Sequence, residues 1–290
     1  MSPVDSIFAF NDSSWHCGAR TRIMGIVNVT PDSFSDGGEY FDAESAIECG
    51  LRLAEAGADC LDVGGESTRP GAEPVSEAEE IRRTAPVVRE LAHATNTPIS
   101  IDTTKAGVAE AAIDAGASIV NDVSAFRTDP RMLGLLSATR VGAIAMHMRG
   151  TPKTMQSMTD YDDLIADVLG LFRDTLERWE SAGIDPQRLM FDPGIGFGKT
   201  VAQNLDLMAA TPRLRELGRP ILLGPSRKSF IGKILGIDSP AARVWGTVGV
   251  CAVAAVLHAD VLRVHDVAEV AQSVRMADAL GDRLDQGMGS

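Results

Sequence analysis

Eight short runs rich in apolar and β-branched residues recur along the chain, and an amphipathic stretch follows each of them. The helical spacing of apolar residues is clearest in residues 44–58, 77–94 and 161–183. Strands that alternate with helices in this way are typical of parallel sheets built from strand–helix units. The eight runs are RIMGIVNV, CLDVGG, PISIDTT, SIVNDVS, GAIAMHM, RLMFDPG, PILLGPS and VLRVHDV.

Several helical stretches end in the same kind of small-residue segment before the next strand. In EAGADCLDV, DAGASIVND and SAGIDPQRLMFD a glycine stands where a helix commonly ends in the left-handed conformation. Eight strand–helix units in 290 residues predict an α/β fold, a (β/α)₈ TIM barrel. A doubly wound open sheet is the alternative. We expect one domain, with an arm or hairpin over residues 1–22, the barrel over 23–283 and a tail over 284–290.

Composition narrows the class of protein. A hydrophobic content of 44% is ample for a large core, and the net charge of −13 argues against nucleic acid or an anionic membrane surface as the main partner. A small anion could still bind a local basic cluster. The four cysteines are scattered without metal-binding spacing, which indicates buried thiols in a reducing compartment.

We expect a cytoplasmic protein. The first twenty residues lack the basic start and continuous apolar core of a signal peptide. The longest apolar stretch, residues 248–257, is far shorter than a membrane span requires.

Polar residues collect where the predicted strands end, which in a barrel is the catalytic face. One aspartate at a strand end could equally cap the next helix, and we interpret Asp62 and Asp122 in that way. We interpret His147 as a core histidine or as a residue that supports the site. The polar strand ends are Asn28, Gly64-Gly65-Glu66, Asp102, Asn121-Asp122, His147, Asp192, Ser226-Arg227-Lys228, and Arg263 with His265.

The strand VLRVHDV (261–267) places Arg263 and His265 on one face, and a buried arginine without a partner is energetically costly. We therefore expect an anionic group above that face. The segment SRKSF adds two basic residues before a helix that should begin near Ser229. Helix N-termini favour anions. With at least three cationic groups beside Asp102 and Asp192, the site suits a substrate that is anionic in one part and carries donors or developing positive charge in another.

Two long polar loops, residues 28–38 and 64–72, follow the first two strands and should form the mouth of the site. A surface loop would not explain Phe34 among polar neighbours, or the adjacent Ser67, Thr68 and Arg69. The segment FDPGIGFGKT superficially suggests a nucleotide-binding loop. Proline occupies position 193 and lysine position 199, where the Walker and dinucleotide patterns need glycine, so both patterns are excluded.

Seven segments, in this order, resemble the dihydropteroate synthase family of pterin-binding enzymes: NVTPDSFSDGG, GGESTRPGA, SIDTT, VNDVS, FDPGIGFGK, SRKSFIG and LRVHDV. The resemblance runs from about residue 23 to about residue 280. It implies a (β/α)₈ barrel and a transferase of folate biosynthesis. The implied reaction condenses 6-hydroxymethyl-7,8-dihydropterin diphosphate with 4-aminobenzoate to 7,8-dihydropteroate and diphosphate. Sulfonamides target this family.

The resemblance also assigns site residues. It implies early C–O cleavage, with Asp102 stabilising the positive charge that develops, and Mg²⁺ near Asn28 beside the leaving group. The implied catalytic residues are Asp102, Lys228 and Arg263. Pterin would contact Asp102, Asn121, Asp192, Lys228 and Met146; diphosphate would contact Asn28, Thr68, Arg263 and His265; aminobenzoate would contact Thr68, Arg69, Pro70, Phe34, Phe197 and Ser229.

The family commonly forms homodimers, so the resemblance implies a homodimer here. Pro225 and Trp245 depart from the family pattern, and we interpret them as a tolerated substitution and a packing residue. Two other functions stay open at this point. One is a methyltetrahydrofolate-dependent methyltransferase, for which SRKS and RVHD would have no purpose. The other is a non-catalytic paralogue that binds pterin only.

Overall fold

Each of the eight apolar runs contains a parallel strand within the residues that the computed structural model describes, namely 6–29, 39–67 and 71–287. An antiparallel hairpin of β1 (Ser6–Phe10) and β2 (Ser13–Cys17) precedes them. The parallel strands are β3 (Arg22–Asn28), β4 (Cys60–Gly64), β5 (Ile99–Asp102), β6 (Ile119–Asp122), β7 (Gly142–Met146), β8 (Leu189–Asp192), β9 (Leu222–Leu223) and β10 (Val261–Val264).

Helices follow the strands and cover the outside of the sheet. They are α1 (Glu39–Glu55), α2 (Glu77–Ala94), α3 (Ala106–Asp114), α4 (Met132–Ala138), α5 (Leu164–Ser181), α6 (Val201–Ala209), α7 (Thr211–Arg215), α8 (Ser229–Leu235), α9 (Val244–Val256) and α10 (Val267–Gly287). Helix α1 begins at Glu39, earlier than the helical pattern from residue 44 indicated, and α10 continues to Gly287, past residue 283, where the barrel was expected to end. Glycines 57, 116 and 183 have φ of 99°, 115° and 72°, which confirms the predicted helix ends.

The sheet closes into the predicted barrel. The strand order is β8-β7-β6-β5-β4-β3-β10-β9, and an isolated parallel bridge between Phe191 and Ile221 joins its two ends. The open-sheet alternative is therefore excluded. We call the end where the barrel strands finish the upper end and the opposite end the lower end.

The hairpin plugs the lower end. Phe8, Phe10 and Trp15 are buried there, with the Phe10 and Trp15 ring centroids 5.2 Å apart. They pack in one cluster with inward-facing barrel residues such as Met24 and Ile144. The lower end is thus filled by apolar side chains, which leaves the upper end for polar chemistry.

Helix α9 is the most uniformly apolar of the outer helices. No single helix of the described residues is long and apolar enough to cross a membrane, although residues 229–235 and 240–256 pass that test as a pair bent by 78°.

Candidate active site

Strand register brings the predicted polar residues together at the upper end. Asn28 on β3 pairs with Gly64 on β4, Gly64 pairs with Asp102 on β5, and Asp102 pairs with Asn121 on β6. Each of these residues ends or nearly ends its strand. Their side chains therefore share one mouth, as the positions of the strand ends predicted.

Arg263 lies between two carboxylates of the barrel itself. Its Nε donates to Asp62 Oδ2 at 2.5 Å, and its Nη2 donates to Asp102 Oδ2 at 2.7 Å. Burial lowers the pKa of Arg263, but attraction to Asp62 and Asp102 outweighs burial and leaves that pKa above its ordinary value. The anionic group expected above Arg263 is thus supplied in part by Asp62 and Asp102 of the same chain.

Asp62 does not cap a helix, so that sequence-based interpretation was wrong. It faces inward two residues before β4 ends, it is fully buried, and its Oδ2 also accepts a hydrogen bond from Asn121 Nδ2 at 3.1 Å. Asp122 does not cap a helix either: its Oδ1 accepts the backbone N–H of Ser124 at 2.6 Å in the loop after β6, and α4 begins only at Met132.

Two further carboxyl groups have strongly shifted pKa values. Burial raises the pKa of Asp102 to about 7, although the charge of Arg263 opposes this shift. Burial likewise raises the pKa of Asp192 to about 6, although Asp192 accepts the backbone N–H of Gly194 at 2.7 Å. Carboxylates this poorly solvated gain most from a ligand that brings N–H donors to them.

The loop after β8 depends on a glycine for this geometry. Gly194 has φ of 73°, and a Cβ placed on it would lie 2.1 Å from the carbonyl oxygen of His147. The close approach brings the N–H of Gly194 to Asp192, which pairs with Met146 across β7 and β8.

Lys228 is the second cation that faces the site. It lies between β9 and α8, and its Nζ is 4.1 Å from the ring centroid of Phe197. Burial, together with the positive charge of Arg263, lowers the pKa of Lys228 to about 8. Phe197 is buried in a small apolar cluster with Met146 and Met148. A flat ring would find both an apolar surface and a cation here.

His265 is not the cation that the sequence suggested. Its Nδ1 lies 2.9 Å from Ser226 Oγ. Burial, followed by repulsion from Arg227 and Arg263, lowers the pKa of His265 to about 3, so the ring is neutral at pH 7. Arg227 forms an ion pair with Asp266. Of the basic groups predicted from SRKSF and RVHD, Arg263 and Lys228 are the cations nearest the predicted carboxylates.

Sequence reasoning missed Lys199. Its side chain is buried, and Nζ donates to the Phe197 carbonyl oxygen at 2.9 Å and lies 3.2 Å from His147 Nδ1. Burial lowers the pKa of Lys199 to about 7. The signal was present in the sequence, because this lysine ends the segment FDPGIGFGK, from which the resemblance assigned only Asp192 and Phe197.

His147 is a buried supporting residue, one of the two roles predicted for it. Its Nε2 donates to Asp167 Oδ2 at 3.0 Å, while Nδ1 faces Lys199. Burial and the nearby charge of Lys199 lower the pKa of His147 to about 4. The ring therefore bridges the loop after β8 to α5 in its neutral form.

Part of the predicted site lies outside the described residues. This applies to Phe34 in the first long loop and to Thr68, Arg69 and Pro70 in the second. Ser229 is described, and it is exposed at the start of α8.

The donor atoms of the upper end bear on whether Mg²⁺ could bind there. Among the described residues, no group of three His, Cys, Asp or Glu side chains could hold a metal ion. Mg²⁺ usually takes one or two protein oxygens and completes its shell with water and substrate phosphates. The amide oxygen of Asn28, at the end of β3, fits that ligand set.

Known proteins share this architecture. A family model described as "Pterin binding enzyme" matches residues 24–265. The dihydropteroate synthase of Synechocystis is 48% identical over 263 residues, which are 91% of each chain.

Solved structures agree. The Xanthomonas albilineans dihydropteroate synthase with 4-aminobenzoic acid has a TM-score of 0.85 at 48% identity, covering 90% of this chain and 93% of the other. The same enzyme with 7,8-dihydropteroate has a TM-score of 0.82 at 46% identity, covering 90% and 94%. The chain therefore belongs to the dihydropteroate synthases of the pterin-binding enzyme family, which are transferases of folate biosynthesis.

Proposed function

We propose that the protein condenses 6-hydroxymethyl-7,8-dihydropterin diphosphate with 4-aminobenzoate and releases 7,8-dihydropteroate and diphosphate. The observation that carries this proposal is the grouping, in one mouth, of buried hydrogen-bond acceptors with two half-buried cations, Arg263 and Lys228. The Xanthomonas albilineans relative contains 4-aminobenzoic acid in one structure and 7,8-dihydropteroate in another, which supports the same ligands here.

The pterin would be read by its polar edge. Asp192 and Asn121 offer oxygen acceptors to the N–H groups of the amino-pyrimidinone ring, and Lys228 donates to the carbonyl side. Met146 supplies an apolar wall. Burial of both acceptors raises the penalty for a ligand that brings no donors.

Asp102 would stabilise the positive charge of the reaction. In the proposed SN1-like step, the C–O bond breaks first and its electron pair leaves with the diphosphate. Positive charge then spreads from the methylene carbon into the pterin ring, and the Asp102 carboxylate, fixed by Arg263 Nη2, offsets it. The amine nitrogen of aminobenzoate next bonds to the methylene with its lone pair and then passes one proton to the solvent.

The leaving diphosphate would meet Arg263 and His265, together with Asn28 and Thr68. Ser226 Oγ accepts the backbone N–H of His265 at 3.1 Å, so its own O–H is best used on His265 Nδ1. The neutral imidazole then carries its proton on Nε2, and this N–H donates a hydrogen bond to the diphosphate. A Mg²⁺ bound by Asn28 and the diphosphate would neutralise negative charge on the leaving group.

Aminobenzoate would lie nearer the rim. Phe197 offers a ring to pack against, and Ser229 offers donors to the carboxylate at the start of α8. Phe34, Thr68, Arg69 and Pro70 would complete the pocket from the two long loops.

We propose that the protein acts as a cytoplasmic homodimer. Helices α9 and α10 pack together and expose large apolar side chains, including Trp245 at 76%, Val253, Met276 and Leu280. Trp245 therefore does not pack within the chain, although the sequence had suggested that it does. A grouped apolar surface of this kind commonly marks a protein–protein interface. Sedimentation equilibrium should give a dimer for the wild type and a monomer for Trp245→Glu.

The test of function is Mg²⁺-dependent diphosphate release, measured with and without 4-aminobenzoate. Dihydropteroate should form only when both Mg²⁺ and 4-aminobenzoate are present, and Arg263→Ala should lose at least about 100-fold in turnover. The matched control is Arg215→Ala, which removes a buried arginine from the lower end.

Two outcomes would overturn the proposal. A wild-type protein that binds pterin and releases no diphosphate would be a binding paralogue. One that transfers a methyl group from methyltetrahydrofolate would be a methyltransferase.

A further inference from the structure

Asp62 lies at the centre of the upper site without any role in the reaction described above. It is fully buried on the inward face of β4, beside Ser100 on β5. Its two carboxylate oxygens are used unequally, since Oδ2 accepts two hydrogen bonds and Oδ1 has no partner among the described residues. A fully buried carboxylate with one unpaired oxygen is energetically costly, so its presence at this place calls for a functional explanation.

The contact with Asn121 constrains the direction of that amide. A carboxylate oxygen that also accepts from Arg263 Nε can only accept hydrogen bonds. The Asn121 side chain must therefore turn its NH₂ group to Asp62, and it does so at 3.1 Å. The reverse orientation would set two oxygens against each other. The amide oxygen of Asn121 is left for other partners.

Asp62 also constrains the orientation of Arg263. Asp62 holds Nε while Asp102 holds Nη2, so the guanidinium is fixed on two sides. One aspartate thus orients a hydrogen-bond acceptor of the proposed pterin site and a cation of the proposed diphosphate site at once.

We infer that Asp62 is a positioning residue that fixes the Asn121 amide with its oxygen toward the ligand, so that the site selects heterocycles with N–H donors on that edge. This inference rests on the proposed function for the identity of the ligand. It deepens that function, because the fixed amide oxygen of Asn121 would reject a ring that carries a carbonyl in place of the amino group. If Asp62 is removed, Asn121 becomes free to rotate and to offer its NH₂ group instead.

The test compares two small ligands by isothermal titration: 6-hydroxymethylpterin, which carries a 2-amino donor, and the corresponding lumazine, which carries a 2-oxo acceptor. The wild type should prefer the pterin by about 100-fold or more, because buried acceptors reject a ligand that leaves them unpaired. In Asp62→Ala this ratio should fall at least about tenfold, chiefly because lumazine binds better relative to pterin.

Two variants separate positioning from general damage. Asp62→Asn keeps an oxygen that can accept from both partners, so its ratio should stay within about threefold of wild type. Asp260→Ala breaks a buried aspartate–arginine pair at the lower end and should leave the ratio unchanged. If Asp62→Ala does not fold, Asp62→Ser replaces it, because a hydroxyl preserves some polarity but is too short to hold both partners.

The outcomes are distinguishable from failure of the proposed function. An unchanged ratio in Asp62→Ala or Asp62→Ser would overturn the inference, and so would a wild type that binds both ligands equally. A wild type that discriminates as expected, with loss of discrimination in Asp62→Ala, would support it even if the enzyme released no diphosphate.

Discussion

Each end of the barrel holds an arginine against aspartate, yet the two arrangements differ. At the lower end, Arg215 donates Nε and Nη2 to the two oxygens of Asp260 at 3.1 and 3.0 Å. Asp260 also accepts the backbone N–H of Ile221 at 2.9 Å. Both side chains are at most 3% exposed. The opposite charges of this pair are thus matched within the chain.

At the upper end, Arg263 divides its hydrogen bonds between two aspartates and is 20% exposed. Asp62 Oδ1 and Ser100 Oγ are buried without partners among the described residues. The Arg215–Asp260 pair therefore stabilises the fold, whereas the group around Arg263 retains hydrogen-bonding capacity for a ligand. Buried polar groups left unpaired are tolerated where they serve a site.

The largest expected effect is a loss of stability when the arginine–aspartate pair of the lower end is broken. Arg215→Ala leaves Asp260 buried without its cation, which should lower the free energy of unfolding by about 3–5 kcal/mol. Turnover per folded molecule should not change. Urea unfolding gives the first quantity, and diphosphate release normalised to folded protein gives the second. Turnover that fell in proportion to stability would mean that the two ends are coupled.

A smaller effect should appear in the pH dependence of stability. The unfolded chain protonates His147 near pH 6.5, whereas the folded chain does so only near pH 4. The unfolded state therefore binds more protons in this window, and stability should be lost as the pH falls from about 6.5 to 4, by about 2–3 kcal/mol.

The quantity to measure is the difference between wild type and His147→Gln, because the raised pKa values of Asp102 and Asp192 act with the opposite sign. The free energy of unfolding of the variant should fall less steeply below pH 6.5. His93→Gln, on the exposed face of α2, is the control. Equal slopes in wild type and His147→Gln would show that burial does not hold this ring neutral.

The smallest effect comes from two glycines, one at each end. A Cβ on Gly142 would lie 2.7 Å from Phe8 Cζ and 3.1 Å from the Ala9 carbonyl oxygen, inside the packed plug. Gly142→Ala should therefore destabilise the protein by about 1–2 kcal/mol. A Cβ on Gly64 would lie 3.6 Å from Asp102 Cβ, an ordinary contact, so Gly64→Ala should change stability by less than about 0.5 kcal/mol. Similar melting curves for the two variants would contradict the picture of a packed lower and an open upper end.

The barrel was predictable because its signals are local. Period-two alternation placed Arg263 and His265 on one face of their strand, and glycines marked the helix ends that the structure has. The positions of strand ends then brought Asp102, Asn121 and Asp192 to one mouth without any knowledge of side-chain packing.

The partners of these residues could not be predicted in the same way. The bond from Arg263 to Asp62 joins residues 201 positions apart, and the contact from Lys199 to His147 joins residues 52 apart. Which carboxylate an arginine selects depends on depth in the barrel, and depth depends on register, which the sequence leaves open. His265 was taken as a cation for a related reason, since its neutrality follows from burial and from neighbouring charges.

The barrel has one weak seam. Strand β9 has only two residues, and an isolated bridge between Phe191 and Ile221 joins β8 to its neighbour. Asp192 follows on one side of this seam and Lys228 on the other, so a pterin held by both would fasten the wall shut. The amide hydrogen of Phe191, which bonds to the Pro220 carbonyl oxygen at 3.0 Å, should then exchange with solvent more slowly once the ligand is bound.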